Sequence, residues 1–362
     1  MANKNNKSLL EFDVSLKGVS LEEKALFSKH LAVMLRAGMP VLEALQISRT
    51  STEGKLKKII IKVESSVASG HSLSDSFAEY PNVFSKLFIN VTKAGESSGT
   101  LIENLENLAE GLQKEKILLG KVKGALLYPV IVLIATFGLG MVLSFVVLPK
   151  ITPLFDGLQM DLPTSTKFLI AFSDIIQQHG ALLFWGIIIS VTFFLWIVRR
   201  AFMRPVTHWL MLNIPILRDL IRYSNLARFS RTLGMLLKSG VNIDEALDIT
   251  RTTVGNFYFQ RALNAVNLRV SRGVKLADAL AEYKDLFPLL FVRMIHVGEE
   301  SGNFEEGLFY LSELYEDEVD TSTKSLSTAL EPALLIFIGL VVGFLALSII
   351  TPIYNVTGNI QR

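Results

Sequence analysis

From Gly124 to Pro149 the chain runs through 26 consecutive residues without a charge, rich in Leu, Val, Ile and Phe. A helix rises 1.5 Å per residue, so Leu126 to Leu148 would span roughly 35 Å, enough for the hydrocarbon core of a bilayer with some tilt. Two further runs share this character. Gly180 to Val198 ends abruptly at Arg199 and Arg200, and Ala333 to Ile350 follows Glu331-Pro332 and meets no charge until Arg362. A core helix in a soluble protein seldom needs so long an uncharged stretch. Composition agrees: 19% of the residues are charged, against about a quarter in soluble domains. Three membrane spans are expected.

The flanking cations set an orientation. Lys114, Lys116, Lys121 and Lys123 precede the first run, and Arg199, Arg200 and Arg204 follow the second. The connector between them carries Lys150 and Lys167 against Asp156, Asp161 and Asp174. The bias places residues 20–123 and 199–331 in the cytoplasm, with spans at 124–149, 180–198 and 332–351. The connector 150–179 and the tail 352–362 then lie outside. Residues 1–19 begin with a polar Asn/Lys-rich stretch that lacks the apolar core of a signal peptide, so a disordered, cytoplasmic N-terminal tail is expected. The reading is of a multi-pass protein of a bacterial-type cytoplasmic (inner) membrane. With no cysteine in the chain, disulfides, thiol catalysis and cysteine-based metal sites are excluded.

The two cytoplasmic segments are copies of each other. Phe27 through Ile47 aligns with Phe229 through Ile249 at an offset of 202, and after a one-residue insertion Gly70–Leu105 aligns with Gly273–Leu308 at an offset of 203. Fifteen of those 36 later positions are identical, where composition alone would give about two or three. Even Pro129 and Pro332 obey the offset. A period of about 200 residues is a duplicated domain rather than a solenoid repeat.

Each copy reads as about six helices. Ser20-Leu21-Glu22-Glu23 is a capping box that opens the first helix, and Gly38 closes it. Asn242-Ile243-Asp244-Glu245 is the corresponding signal at the second helix of copy two, with Pro40 at the matching place in copy one. Gly70 and Gly273 stop the third helix, and Ser72-Leu73-Ser74-Asp75 opens the fourth. The expected fold is all-α: two homologous six-helix cytoplasmic bundles with three transmembrane helices.

The most specific local motif also occurs twice, as Gly95-Glu96-Ser97-Ser98-Gly99 and Gly298-Glu299-Glu300-Ser301-Gly302. Capping boxes follow at Thr100-Leu101-Ile102-Glu103 and Asn303-Phe304-Glu305-Glu306. One reading is a tight interhelical turn, in which Gly95, Gly99, Gly298 and Gly302 relieve backbone restrictions while Ser98, Ser301 or Glu oxygens satisfy open amides. The other makes Glu96 and Glu299 docking carboxylates for a partner. The two are compatible. A phosphate-binding loop is excluded, because the Lys and the spacing of a Walker motif are missing.

These features together resemble the type II secretion F family, the polytopic platform proteins of type IV pilus and type II secretion machines. The resemblance rests on the block Phe27, Leu31, Leu35, Gly38, Glu43-Ala44-Leu45 and its counterpart Phe229, Leu233, Leu237, Gly240, Glu245-Ala246-Leu247. The doubled Gly-Glu-x-Ser-Gly turn and the three apolar runs complete it. It covers the chain from about Leu21; the short polar leader departs from the longer one of many members. The resemblance implies a platform rather than an enzyme. It also implies contacts with a cytoplasmic hexameric ATPase, with prepilin or pseudopilin and with other inner-membrane assembly proteins, a homo-oligomeric state, and no cofactor.

The remaining signals add little chemistry. His30, His71, His179, His208 and His296 lack metal-ligand spacing, and no catalytic arrangement of Ser, His and carboxylates stands out. The cations between Arg199 and Arg231 suit lipid headgroups or an acidic partner better than nucleic acid. A solute transporter or channel is the rival class, and the absence of ionisable residues within the apolar runs argues against it. Gly339 and Gly343 form a Gly-x-x-x-Gly pair, with Gly140 matching the second, and mark candidate sites of close helix packing.

Overall fold

The computed structural model describes residues 18–125, 127–142 and 200–360, with isolated positions between 171 and 198. Among them every regular element is a helix. The N-terminal tail to residue 17, most of the connector and much of the second apolar run lie outside the described residues. The described positions from 182 to 198 are helical. Contacts divide the chain into two units, one of Met1–Gly120 with Leu220–Val319, the other of Lys121–Asp219 with Asp320–Arg362.

The first unit holds both bundles. Copy one comprises α1 (Leu21–Arg36), α2 (Val41–Ser51), α3 (Gly54–Ala68), α4 (Leu73–Ala78), α5 (Lys86–Ser98) and the start of α6 (Leu101–Ala125). After α7 (Leu127–Val142) and α8 (Arg204–Asn213), copy two runs through α9 (Pro215–Lys238), α10 (Ile243–Thr253), α11 (Phe257–Val270), α12 (Leu276–Ala281), α13 (Leu289–Ser301) and the start of α14 (Phe304–Ile360). Six helices per copy is the number read from the sequence. The inserted residue falls between the second and third helices: Thr52-Glu53 connects α2 to α3, and Val254-Gly255-Asn256 connects α10 to α11.

Local signals explain most boundaries. Ser20 accepts from the Glu23 amide while the Glu23 side chain accepts from the Ser20 amide, closing the capping box. Gly38 and Gly240 adopt φ of +85° and +84° just past α1 and α9, where a side chain would be strained. Ser72 accepts from the Asp75 amide at 3.0 Å and caps α4. The Asn242 signal is corrected in one respect. Asn242 occupies the N-cap of α10, but its side chain makes no capping hydrogen bond.

Each bundle closes on aromatic residues at matching positions. Phe27, Phe84 and Phe88 pack together in copy one, and Phe229, Phe287 and Phe291 in copy two. All six are buried, and burial of such side chains stabilises each by about 1.5–3 kcal/mol. In copy one Phe77 joins the cluster against Phe84 and Phe88. The half-buried Lys24 amine donates to the Val83 carbonyl at 3.2 Å, and burial lowers its pKa.

The copies share one continuous core. Side chains of α6 in copy one meet those of α9 in copy two, and α5 lies beside α10. Glu115 receives Arg228 at 2.6 Å, Glu103 receives Lys238 at 3.2 Å, and Gly111 faces the Met235 side chain. Arg231 is buried here and pairs with Glu316 of α14. Burial pulls its pKa down to about 10, against the opposite pull of Glu115, Glu110 and Glu313.

The second unit is of a different character. Helix α8 buries none of its residues and leaves Val206, Trp209 and Leu210 exposed. Residues 201–219 and 320–331 group with this unit, so the compact bundle takes 220–319 from the stretch 199–331. The helical stretches Leu101–Val142 and Phe304–Phe344 are each long and apolar enough to cross a membrane. Large apolar side chains such as Ile134, Phe137, Leu335 and Leu340 stand exposed on them. Helix α14 runs without a break through Pro332 and on to Ile360, so the backbone of 352–360 is helical.

Candidate functional site

The doubled Gly-Glu-x-Ser-Gly segment forms the last turn of α5 and of α13, and each of its residues has a separate physical reason. The closing glycines, Gly99 and Gly302, adopt φ of +74° and +75° and end their helices in the left-handed conformation. The opening glycines allow close approach. A Cβ on Gly95 would lie 2.8 Å from the Leu101 Cα, and one on Gly298 would lie 3.1 Å from the Phe304 ring and 3.3 Å from its Cα. The next helix therefore folds back directly over the motif. In copy one Asn104 of that helix donates to the Val91 carbonyl at 3.2 Å, buried in the crossing.

The two glutamates turn back into their own bundles. Glu96 Oε1 and Oε2 accept the amides of Leu73 and Ser74 at 2.6 and 3.0 Å. Glu299 does the same with Leu276 and Ala277 at 2.7 and 2.9 Å. Each carboxylate thus covers the N-terminus of the six-residue helix α4 or α12, whose first amides have no partner within the helix. A carboxylate there also meets the positive end of the peptide dipoles. The docking candidates are in this way the bolts of the fold, each fastening the fourth helix to the fifth. Ser98 donates to the Ala94 carbonyl at 2.7 Å and meets the Thr100 hydroxyl at 2.6 Å, while Ser301 accepts the Asn303 amide at 3.4 Å.

Sequence reading found the turn and missed the target of its carboxylate. Glu96 follows Leu73, and Glu299 follows Leu276, by the same 23 positions, but every pair within this ungapped stretch keeps its separation, so the spacing alone does not single out the contact. The candidate packing glycines differ from Gly95 and Gly298, because Gly140, Gly339 and Gly343 have nothing within 4 Å of an added Cβ.

A cleft of about 200 Å³ opens where α6, α9 and α14 meet, lined by Glu110, Lys114, Arg231, Lys238 and Glu313 among others. Its charges are paired: Lys114 lies 3.4 Å from Glu110 and 3.5 Å from Glu313, while Arg231 and Lys238 pair with Glu316 and Glu103 beyond the lining. Among the described residues no group of three or more His, Asp or Glu could hold a metal ion.

Known proteins give this geometry a context. The family model described as type II secretion system (T2SS), protein F matches twice, over residues 27–149 and 229–352. The type IV pilus assembly protein PilC of Thermus thermophilus is 36% identical over 95% of this chain and 85% of its own length. That of Pseudomonas aeruginosa is 30% identical over 96% and 94%. The type II secretion system protein F of Aeromonas hydrophila is 30% identical over 95% and 89%. The double match falls on the two copies read from the sequence. The chain belongs to the type II secretion system protein F family, whose members are structural assembly proteins of the inner membrane and not enzymes.

Proposed function

We propose that this chain is the inner-membrane platform of a type IV pilus or type II secretion machine, and that it couples a cytoplasmic hexameric ATPase to the assembly of pilin or pseudopilin subunits. The observation that carries the reading is the pair of like bundles, each leading into an apolar helix. Helix α14 supplies Leu308, Leu311, Tyr315 and Val319 to the bundle core and then continues, unbroken, into exposed apolar residues. Displacement of a bundle by a motor protein would pass along such a helix toward subunits held in the bilayer. In this reading both bundles face the cytoplasm, the N-terminus is cytoplasmic, and the C-terminus lies outside.

The experiment is affinity purification of the full chain, in mild detergent, from cells that carry the whole machine. Recovery of the assembly ATPase and of prepilin, both lost when residues 220–319 are deleted, is the expected result. Normal pilus or secretion output in a strain lacking the chain would overturn the proposal.

A further inference from the structure

The contact between the two bundles is not reciprocal. It joins α5 and α6 of copy one to α9 and α10 of copy two, and Glu313 of α14 also reaches Lys114 of α6. The duplication assigns each of these a counterpart: α13 and α14 correspond to α5 and α6, and α1 and α2 correspond to α9 and α10. A two-fold contact would bury both sets inside one chain. Instead, Met235 is 3% exposed where its counterpart Val33 is 54% exposed, and Ile249 is 3% exposed where Ile47 is 42% exposed. Arg231 and Thr232 are buried, while Lys29 and His30 at the same places stand exposed. One face of each kind is left over.

The leftover faces keep part of the chemistry of the joined ones: the Arg228–Glu115 pair has Leu26 and Glu318 as its counterparts, while two other contacts carry over. Within the chain Lys238 meets Glu103, and the counterparts are Arg36 and Glu306, again a cation and a carboxylate. Gly111 faces Met235, and the counterparts are Leu314 and Val33, where the larger apolar residue has changed sides. The stripe on α14 that corresponds to Glu103, Asn107, Gly111 and Glu115 is Glu306, Tyr310, Leu314 and Glu318. Tyr310 and Glu306 are exposed on it. Contacts of α14 with α6 and α9 use other positions, Glu313 and Glu316. Arg36, although bonded to Glu106, keeps its side chain 62% exposed.

We propose that a second copy of this chain occupies the free face: the α13–α14 face of one chain docks on the α1–α2 face of the next, repeating between chains the contact that joins the bundles within one. A contact of this kind is heterologous and builds rings or arrays rather than a single two-fold pair. It is independent of which partners the platform serves, so its failure leaves the proposed function standing.

The test uses the full chain in native membranes, where the lack of native cysteines allows single introduced thiols. Two differently tagged forms are co-expressed, one with Arg36→Cys and one with Glu306→Cys. A second pairing uses Val33→Cys with Leu314→Cys. Glu103→Cys with Lys238→Cys in a single chain is the control for closure of the existing contact. With a short thiol crosslinker, the mixed pairs should give a dimer carrying both tags, and each variant expressed alone should stay monomeric. In the Val33→Cys and Leu314→Cys background, Arg36→Glu on the Val33→Cys chain should abolish the mixed product, and Glu306→Arg on the other chain should restore it. Self-crosslinking of Arg36→Cys or Val33→Cys alone, as strong as the mixed product, would show a two-fold contact and overturn the proposal. So would the absence of any mixed product while the control closes, which is also the outcome if a different protein covers these faces.

Discussion

Replacing Glu96 by Ala removes two acceptors at once, those of the Leu73 and Ser74 amides at 2.6 and 3.0 Å. Hydrogen bonds to a charged group contribute about 1.5–3 kcal/mol each. The site is partly exposed and water can reach the freed amides, so the lower end applies, and the variant should lose about 3 kcal/mol. Glu96→Gln keeps one acceptor oxygen but no charge and should lose about half as much. Glu299→Ala and Glu299→Gln should behave alike in copy two, because the geometry is the same. Pulse proteolysis of the full chain in detergent measures the loss, and hydrogen exchange of the segment 70–80 localises it. Exchange at Leu73 and Ser74 should quicken in the Glu96 variants and stay unchanged in the Glu299 variants. Pilus or secretion output should fall in step with stability. If Glu96→Ala leaves stability within about 0.5 kcal/mol of the parent, with exchange unaltered and output lost, the capping argument fails and a docking role for the carboxylate is established.

Gly99→Ala and Gly302→Ala place a side chain at positive φ and should each lower stability by about 1–2 kcal/mol. Gly95→Ala should lower it by about 1–3 kcal/mol, because the new Cβ meets the Leu101 backbone at 2.8 Å; proteolysis midpoints measure all three. Burial pushes the Tyr315 hydroxyl up to about 12 from its ordinary 10. Its contribution is therefore present below pH 10 and lost as pH rises through about 12, and Tyr315→Phe should flatten that part of the alkaline stability profile. Single cysteines at Ser65, Ser271 and Thr164 should separate the two sides of the membrane: only Thr164→Cys should react with an impermeant thiol reagent in intact spheroplasts. Gly339→Ile with Gly343→Ile should abolish a dimer crosslinked through Leu340→Cys or Leu347→Cys; retention of the dimer would make these glycines ordinary lipid-facing residues.

Much of the fold was legible because its signals are local. Helix starts at Ser20 and Ser72, helix ends at Gly38 and Gly99, and the apolar runs each depend on residues a turn or two apart. The duplication strengthened the reading, since a signal seen in both copies has been tested twice. What escaped is non-local. The Glu96 carboxylate acts on amides 23 positions upstream, and nothing in the motif itself says whether a conserved-looking carboxylate points outward or back. Asn242 shows the converse: its residue type suits a cap, yet the Asn242 side chain does not take up the bond. The one-sided packing of the bundles was hidden for a further reason. Val33 and Met235 are both apolar, so hydropathy cannot show that one is buried and the other exposed.

Where the copies agree, they specify the bundle; where they differ, they specify what each bundle does. The Gly-Glu-x-Ser-Gly turn belongs to the first class, since its glycines and glutamate do the same mechanical work in both places. Lys29 against Arg231, His30 against Thr232 and Gly111 against Leu314 belong to the second. Lys29 and His30 are exposed where Arg231 and Thr232 are buried, and Leu314 is half-buried where Gly111 is buried. Exposed positions such as Lys29 and His30 can drift under selection for folding alone, so the informative feature is the burial of their counterparts Arg231 and Thr232. The joining surfaces are buried in one copy and open in the other, so the determinants of partnership are to be sought on those stripes, since the glutamates of the repeated turn are spent on their own bundles.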